Sequence, residues 1–181
     1  NDGTGKFSSQ AETLAPRLQY TGMICDAKTI DLNKDGFSDL IITGEWMAIQ
    51  VWINHKGKLI NETTQWFPYA NRGWWNCILT EDFDNDGDLD LMAGNAGTNN
   101  QFNVSETAPA TLVFKDFNSD NQVDPFLCYY IQGKSYPYAS RDEALGQVNF
   151  LKQRFPDYLT YANASLETIF TPQELQDTVV F

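Results

Sequence analysis

Asp82-Phe83-Asp84-Asn85-Asp86-Gly87-Asp88-Leu89-Asp90 is the stretch on which the fold turns. Oxygen-bearing side chains alternate along it, and Gly87 at position 6 permits a sharp inward turn. The same spacing recurs upstream as Asp31-Leu32-Asn33-Lys34-Asp35-Gly36-Phe37-Ser38-Asp39 and downstream as Asp116-Phe117-Asn118-Ser119-Asp120-Asn121-Gln122-Val123-Asp124. Positions 1, 3, 5 and 9 keep an oxygen side chain in all three. Position 6 is Gly, Gly and Asn, and asparagine tolerates the left-handed backbone better than other side chains do.

The charge of the chain resides in these loops. Its 181 residues carry 24 Asp and Glu against 12 Lys and Arg, a formal net charge of −12. The three loops hold eleven acids and one lysine, or −10, and leave only −2 for everything else. Carboxylates a few Å apart repel one another unless a cation neutralises them. Calcium suits such a set, with six to eight oxygen ligands in flexible geometry; magnesium's small octahedral shell suits it less. The expected side-chain ligands are Asp31, Asn33, Asp35 and Asp39, then Asp82, Asp84, Asp86 and Asp90, then Asp116, Asn118, Asp120 and Asp124. The position-7 residues Phe37, Asp88 and Gln122 supply a backbone carbonyl, for up to three Ca2+ ions. Solvated Asx turns are the competing reading. Three copies of one spacing weigh against it.

Position 12 is Ile42, Ala93 and Leu127 where an EF-hand needs a bidentate glutamate, so the EF-hand is excluded. Strand-like segments flank each loop instead: Gly22-Met23-Ile24-Cys25 and Leu40-Ile41-Ile42-Thr43; Trp75 to Leu79 and Leu91-Met92-Ala93; Thr111 to Phe114 and Phe126 to Ile131. A tight turn at Asn54-His55-Lys56-Gly57-Lys58-Leu59 follows the strand Ile49 to Ile53, and Asn1-Asp2-Gly3-Thr4-Gly5-Lys6-Phe7 reads as a similar turn entering a strand. Strand, loop, strand, connection, strand, turn, strand is the order of a β-propeller blade. Asp31 and Asp82 stand 51 positions apart but Asp82 and Asp116 only 34, so the third blade is expected to be abbreviated.

These loops resemble FG-GAP or VCBS repeats, the calcium-loop repeats of integrin-α-like propellers, over about residues 1 to 131. With Gly44-Glu45-Trp46-Met47, Gly73-Trp74-Trp75-Asn76, Gly94-Asn95-Ala96-Gly97 and Tyr136-Pro137-Tyr138-Ala139-Ser140-Arg141-Asp142-Glu143, the chain is similar to bacterial VCBS repeat proteins. The likeness is to secreted or surface proteins of Bacteroidetes in the cartilage-acidic-protein and ASPIC/UnbV group. It departs from the pattern at Asn121 and at Pro125, which stands where the first two loops have Leu. The resemblance implies blades braced by calcium, with partners bound elsewhere.

From Ser140 the pattern becomes helical. Ser140-Arg141-Asp142-Glu143 offers an N-cap with acids in the first turn, Pro156 opens a segment through Tyr161, and Thr171-Pro172-Gln173-Glu174 reads as a capping-box helix start. The expected fold is mainly β: a partial β-propeller of about three FG-GAP/VCBS blades over residues 1–135, truncated at its N-terminus, then an α-helical extension over 136–181. Both ends read as cut from a longer polypeptide, since three blades cannot close a propeller.

Other chemistry is sparse. His55, the single histidine, falls in a turn, and no nucleophile elbow or phosphate loop is present. Cys25, Cys77 and Cys128 form no Cys-x-x-Cys pair and read as buried free thiols, with one disulfide as the alternative. The acidic balance excludes a phosphate-tracking surface, and no apolar run is long enough to span a membrane. The function read from this is a non-catalytic, calcium-binding module of a secreted or cell-surface protein that engages a protein or glycan ligand. The alternative is a carbohydrate-active propeller, lectin or polysaccharide lyase or hydrolase, with Trp46, Trp74 or Trp75 stacking on sugar.

Overall fold

A computed structural model of the chain describes residues 3–69 and 72–181. Strand makes up 36% of the residues and helix 16%, so the protein is mainly β, with antiparallel pairing throughout its sheets. It forms two compact units, Asn1–Gly97 and Thr98–Phe181.

The first unit contains α1 (Ala11–Leu14), β1 (Met23–Ile30), β2 (Asp39–Met47), β3 (Gln50–His55), β4 (Lys58–Asn61), α2 (Thr63–Trp66), β5 (Gly73–Glu81) and β6 (Asp90–Asn95). Its strands run in the order β4-β3-β2-β5-β6, and β1 also pairs with β2. The uninterrupted apolar runs of β2 and β3 explain their central place. Ile41, Ile42, Val51, Trp52 and Ile53 are each at most 2% exposed, so both faces are covered. Ile42, Met47 and Trp52 form one cluster, with Leu18, Leu40 and Leu59 packed on it. Lys56 and Gly57 have φ of 54° and 98°, the left-handed pair that a two-residue hairpin between His55 and Lys58 requires.

The 51-residue repeat extends to its irregularities. β1 skips Cys25 between the pairs Ile24–Gly44 and Asp26–Thr43, and β5 skips Asn76 between Trp75–Asn95 and Cys77–Gly94. Each bulge therefore sits at the same place in its repeat. The close approach it creates explains Gly44, where a Cβ would overlap the Met23 carbonyl. Asp26 Oδ2 accepts from Ile78 N of β5 at 2.9 Å and Oδ1 from Ala27 N at 2.8 Å. The Ile78 bond first, then the Ala27 bond, hold its carboxyl below the usual range.

The second unit contains β7 (Thr111–Lys115), β8 (Asp124–Ile131), β9 (Lys134–Pro137), α3 (Arg141–Gln147), α4 (Leu151–Arg154), α5 (Tyr158–Ala162), α6 (Leu166–Ile169) and β10 (Val179–Val180). Its sheet has the order β10-β7-β8-β9. Val113, Phe117 and Phe126 from the sheet and its loop share one core with Leu145, Val148, Leu151, Ile169 and Phe170 from the helical layer. Phe117 stacks on Phe170 at 3.9 Å and 12°, and Phe126 meets Phe170 edge-on at 5.1 Å and 85°. Ser140 caps α3 in a full capping box with Glu143. Neither this sheet nor the first closes on itself.

Three local expectations change. The helix expected from Thr171 is a single capped turn: Thr171 Oγ1 accepts from Glu174 N and Glu174 Oε2 accepts from Thr171 N, but the chain then runs into β10. Tertiary bonds explain why. Arg154 grips Glu174 with two bonds of 2.8 Å, and Lys115 Nζ donates to the carbonyls of Glu174 and Gln176, drawing the segment onto β7. Residues 134–137, expected at the helical boundary, form β9. The turn placed at Asn1-Asp2 lies outside the described residues, and Gly3 to Phe7 form no strand. Among the described residues, no helix is long and apolar enough to cross a membrane.

The Arg154 clamp makes a pH-dependent contribution. Its guanidinium, opposed in part by burial, holds the Glu174 carboxyl down at about 2, against 4.5 ordinarily. A depressed carboxyl stabilises the fold above its unfolded value and loses that stabilisation as pH falls from about 4.5 towards 2. Arg154 is 35% exposed, so solvent screening limits the loss to about 1 kcal/mol. Urea unfolding between pH 6 and pH 2.5 should show it, and Glu174→Gln should remove that part of the pH dependence.

Candidate metal centre

Each of the three loops is folded by the same five hydrogen bonds. In the second, Asp86 N donates to Asp82 Oδ1 at 3.1 Å and to Asp84 Oδ1 at 3.2 Å, and Gly87 N donates to Asp82 Oδ2 at 3.0 Å. Asp88 N donates to Asp86 Oδ1 at 2.9 Å, and Phe83 N donates to Asp90 Oδ2 at 3.0 Å. In the first loop Asp35, Gly36, Phe37 and Leu32 donate the corresponding bonds to Asp31, Asn33, Asp35 and Asp39 at 2.9 to 3.1 Å. In the third, Asp120, Asn121, Gln122 and Phe117 donate to Asp116, Asn118, Asp120 and Asp124 at 2.8 to 3.1 Å.

In every loop the position-5 N–H ties the side chains of positions 1 and 3 together, and the position-7 N–H holds that of position 5. Position 9 is tied back to position 2. Positions 4 and 6 are left-handed throughout: Lys34 and Gly36, Asn85 and Gly87, Ser119 and Asn121, with φ between 58° and 91°. The turn at position 6 was readable from Gly and Asn. That at position 4 was not, since lysine and serine carry no signal for it; only Asn85 hinted at it.

In the second loop, one oxygen each of Asp82, Asp84 and Asp86 lies within 4.8 Å of the other two. Calcium binds oxygen at 2.3–2.6 Å, so its ligand oxygens can lie up to about 5 Å apart across the ion. The donor set fits: hard oxygens only, carboxylate-rich, at a spacing one ion can bridge. Asparagine replaces an aspartate at position 3 of the other two loops and lowers their charge by one each. The position-7 residues Phe37, Asp88 and Gln122 are placed by their N–H bonds to position 5.

The loops differ in what surrounds position 9. Asp39 is fully buried and its Oδ1 accepts from Asn54 N at 2.7 Å, which joins the first loop to the β3–β4 hairpin. Asp124 is 4% exposed, and burial pushes its carboxyl above the usual range against the lowering pull of the Phe117 N–H, with Asp120 and Asp116 adding repulsion. Asp90, on the terminal strand of its sheet, is exposed.

Lys34, at position 4 of the first loop, pairs with Asp88 at position 7 of the second. Sequence spacing could not show that contact, because it depends on β1 and β5 bringing the two loops side by side.

Residues 31–93 are an FG-GAP-like repeat. The matched span opens on Asp31 and takes in the first two loops with the strands between them. The third loop lies beyond the FG-GAP-like repeat yet has the same hydrogen-bond network. No curated protein and no solved structure gives a significant match.

Outside the loops, Trp46 and Trp74 meet edge to face at 5.1 Å, and His55 Nε2 lies 2.6 Å from Glu62 Oε1 at the hairpin end. The three cysteines are free, but only Cys128 is buried as expected; Cys25 and Cys77 are exposed, because the bulge and the outer face of β5 carry them to the surface. Burial pushes the Cys128 thiol up to about 12, so it is inert at neutral pH.

Proposed function

We propose that the chain is a calcium-binding, non-catalytic module of an extracellular or cell-surface protein, part of an integrin-α-like β-propeller that engages a protein or glycan ligand. The observation that carries this reading is the single hydrogen-bond network shared by three loops, two of them within an FG-GAP-like repeat. Such repeats usually occur in extracellular or surface proteins. Asp31, Asn33, Asp35 and Asp39 would hold the first ion, Asp82, Asp84, Asp86 and Asp90 the second, Asp116, Asn118, Asp120 and Asp124 the third, with the position-7 carbonyls. Each ion would neutralise the three to five carboxylates of its own loop. It binds the folded loops better than the unfolded chain and so stabilises the fold by mass action. Outside the cell, dissociation constants of about 0.1 to 1 mM suffice.

Excess EDTA is expected to lower the melting temperature and added calcium to restore it; a transition indifferent to both would overturn the reading. Asp86→Ala should remove one ion from the calorimetric stoichiometry, since Asp86 both joins the ligand cluster and accepts the Asp88 N–H. The carbohydrate-active alternative finds less support, because Trp46 and Trp74 pack on each other and Trp75 is half-buried.

A further inference from the structure

The third loop differs from the other two in being fastened to a helical layer. At position 3, Asn118 Nδ2 donates to Gln147 O at 2.8 Å, while its Oδ1 accepts from Asp120 N at 3.0 Å inside the loop. Its Nδ2 also donates to Asp120 Oδ2 at 3.1 Å, as Asn33 Nδ2 donates to Asp35 Oδ2 in the first loop, so the bond to Gln147 is the added link of the third loop. Gln147 is the last residue of α3, where helix carbonyls lack internal partners, so the Asn118 amide serves as their external cap. The same Gln147 has a buried side-chain oxygen, Oε1, with no hydrogen-bond partner, which marks this helix end as poorly satisfied. Two further residues of the loop reach inward: Phe117 stacks on Phe170, and Asp124 is buried while accepting the Phe117 N–H. The corresponding Phe83 and Asp90 of the second loop are both exposed.

We propose that Asn118 couples calcium at the third loop to the order of the α3–α4 segment, so that this ion, unlike the other two, sets the stability of the helical layer. The proposal rests on the calcium reading of the loop. The physical basis is the rigidity of one amide plane. An ion that fixes Asn118 Oδ1 also fixes Nδ2 on the helix end, and the coupling is reciprocal: loss of the helix end weakens the ion by the same factor. The first two loops have no such link, because their position-3 side chains are exposed.

Backbone amide NMR on the full chain tests this, with calcium chloride as the probe and magnesium chloride as the control. The position-6 amides of Gly36, Gly87 and Asn121 each donate to a position-1 carboxylate and report their own loops separately. Calcium at ten times the dissociation constant should shift Asn121 and slow exchange of the Ala144 to Phe155 amides about tenfold. Asn118→Asp keeps the ligand oxygen and gives the loop the position-3 residue that Asp84 is in the second loop, but removes the donor to Gln147 and to Asp120 Oδ2. In that variant Asn121 should still shift and the protection of residues 144–155 should no longer respond. If Asn121 of the unaltered protein does not respond to calcium, the cation reading of this loop fails. If it shifts without added protection, or if Asn118→Asp keeps the response, the coupling fails and the cation reading stands.

Discussion

Asp39→Ala is expected to lower the unfolding free energy by about 3–5 kcal/mol in excess EDTA, where no ion contributes. The Asp39 carboxylate is fully buried and takes two backbone donors, Leu32 N at 2.9 Å and Asn54 N at 2.7 Å. Alanine leaves both half-buried N–H groups without that acceptor, and each unsatisfied donor costs about 1–3 kcal/mol. Asp39→Asn should fall between, because its single carbonyl oxygen cannot serve both donors and its NH2 faces one of them. Asp90→Ala is the control. It occupies the same place in the second loop, but it is exposed and water can replace it on Phe83 N, so about 1 kcal/mol is expected. Urea unfolding of the three variants in EDTA checks the order. Equal losses at Asp39 and Asp90 would show that the burial of position 9 adds nothing to the stability of the fold.

The contrast between Asp39 and Asp90 also shows where sequence reading stops. Alternating oxygens with Gly36, Gly87 and Asn121 identify three loops between strands, since backbone chirality and short-range hydrogen bonding decide them locally. The Ser140 cap was legible for the same reason. The burial of Asp39 depends on Asn54, 15 residues away, and that of Phe117 on Phe170, 53 residues away, and nothing in either local pattern announces the partner. Thr171-Pro172-Gln173-Glu174 is the sharpest case. Its local signals favour a helix and the capping bonds do form, but Arg154 and Lys115 hold the next residues beside β7. The apolar faces of the helical segment, taken alone, likewise do not reveal that they close over β7 and β8.

Phe170→Ala is the change expected to cost the second unit most, about 3–5 kcal/mol. Phe170 is 1% exposed, stacks on Phe117 at 3.9 Å and meets the edge of Phe126, which is fully buried. Truncation removes a ring that touches both and leaves a cavity that Phe117, held by its N–H to Asp124, is poorly placed to fill. Domains of this size are stable by roughly 4–12 kcal/mol, so the loss takes a large share of what holds sheet and helices together. Phe170→Leu keeps most of the apolar volume but forfeits the ring contacts, and about 1–2 kcal/mol is expected. Exchange of the amides of β8 and α3, read by NMR in excess EDTA, separates the outcomes. Protection should fall in both elements together in Phe170→Ala, because one aromatic cluster joins them, and a loss confined to α6 would mean that Phe170 only caps the core.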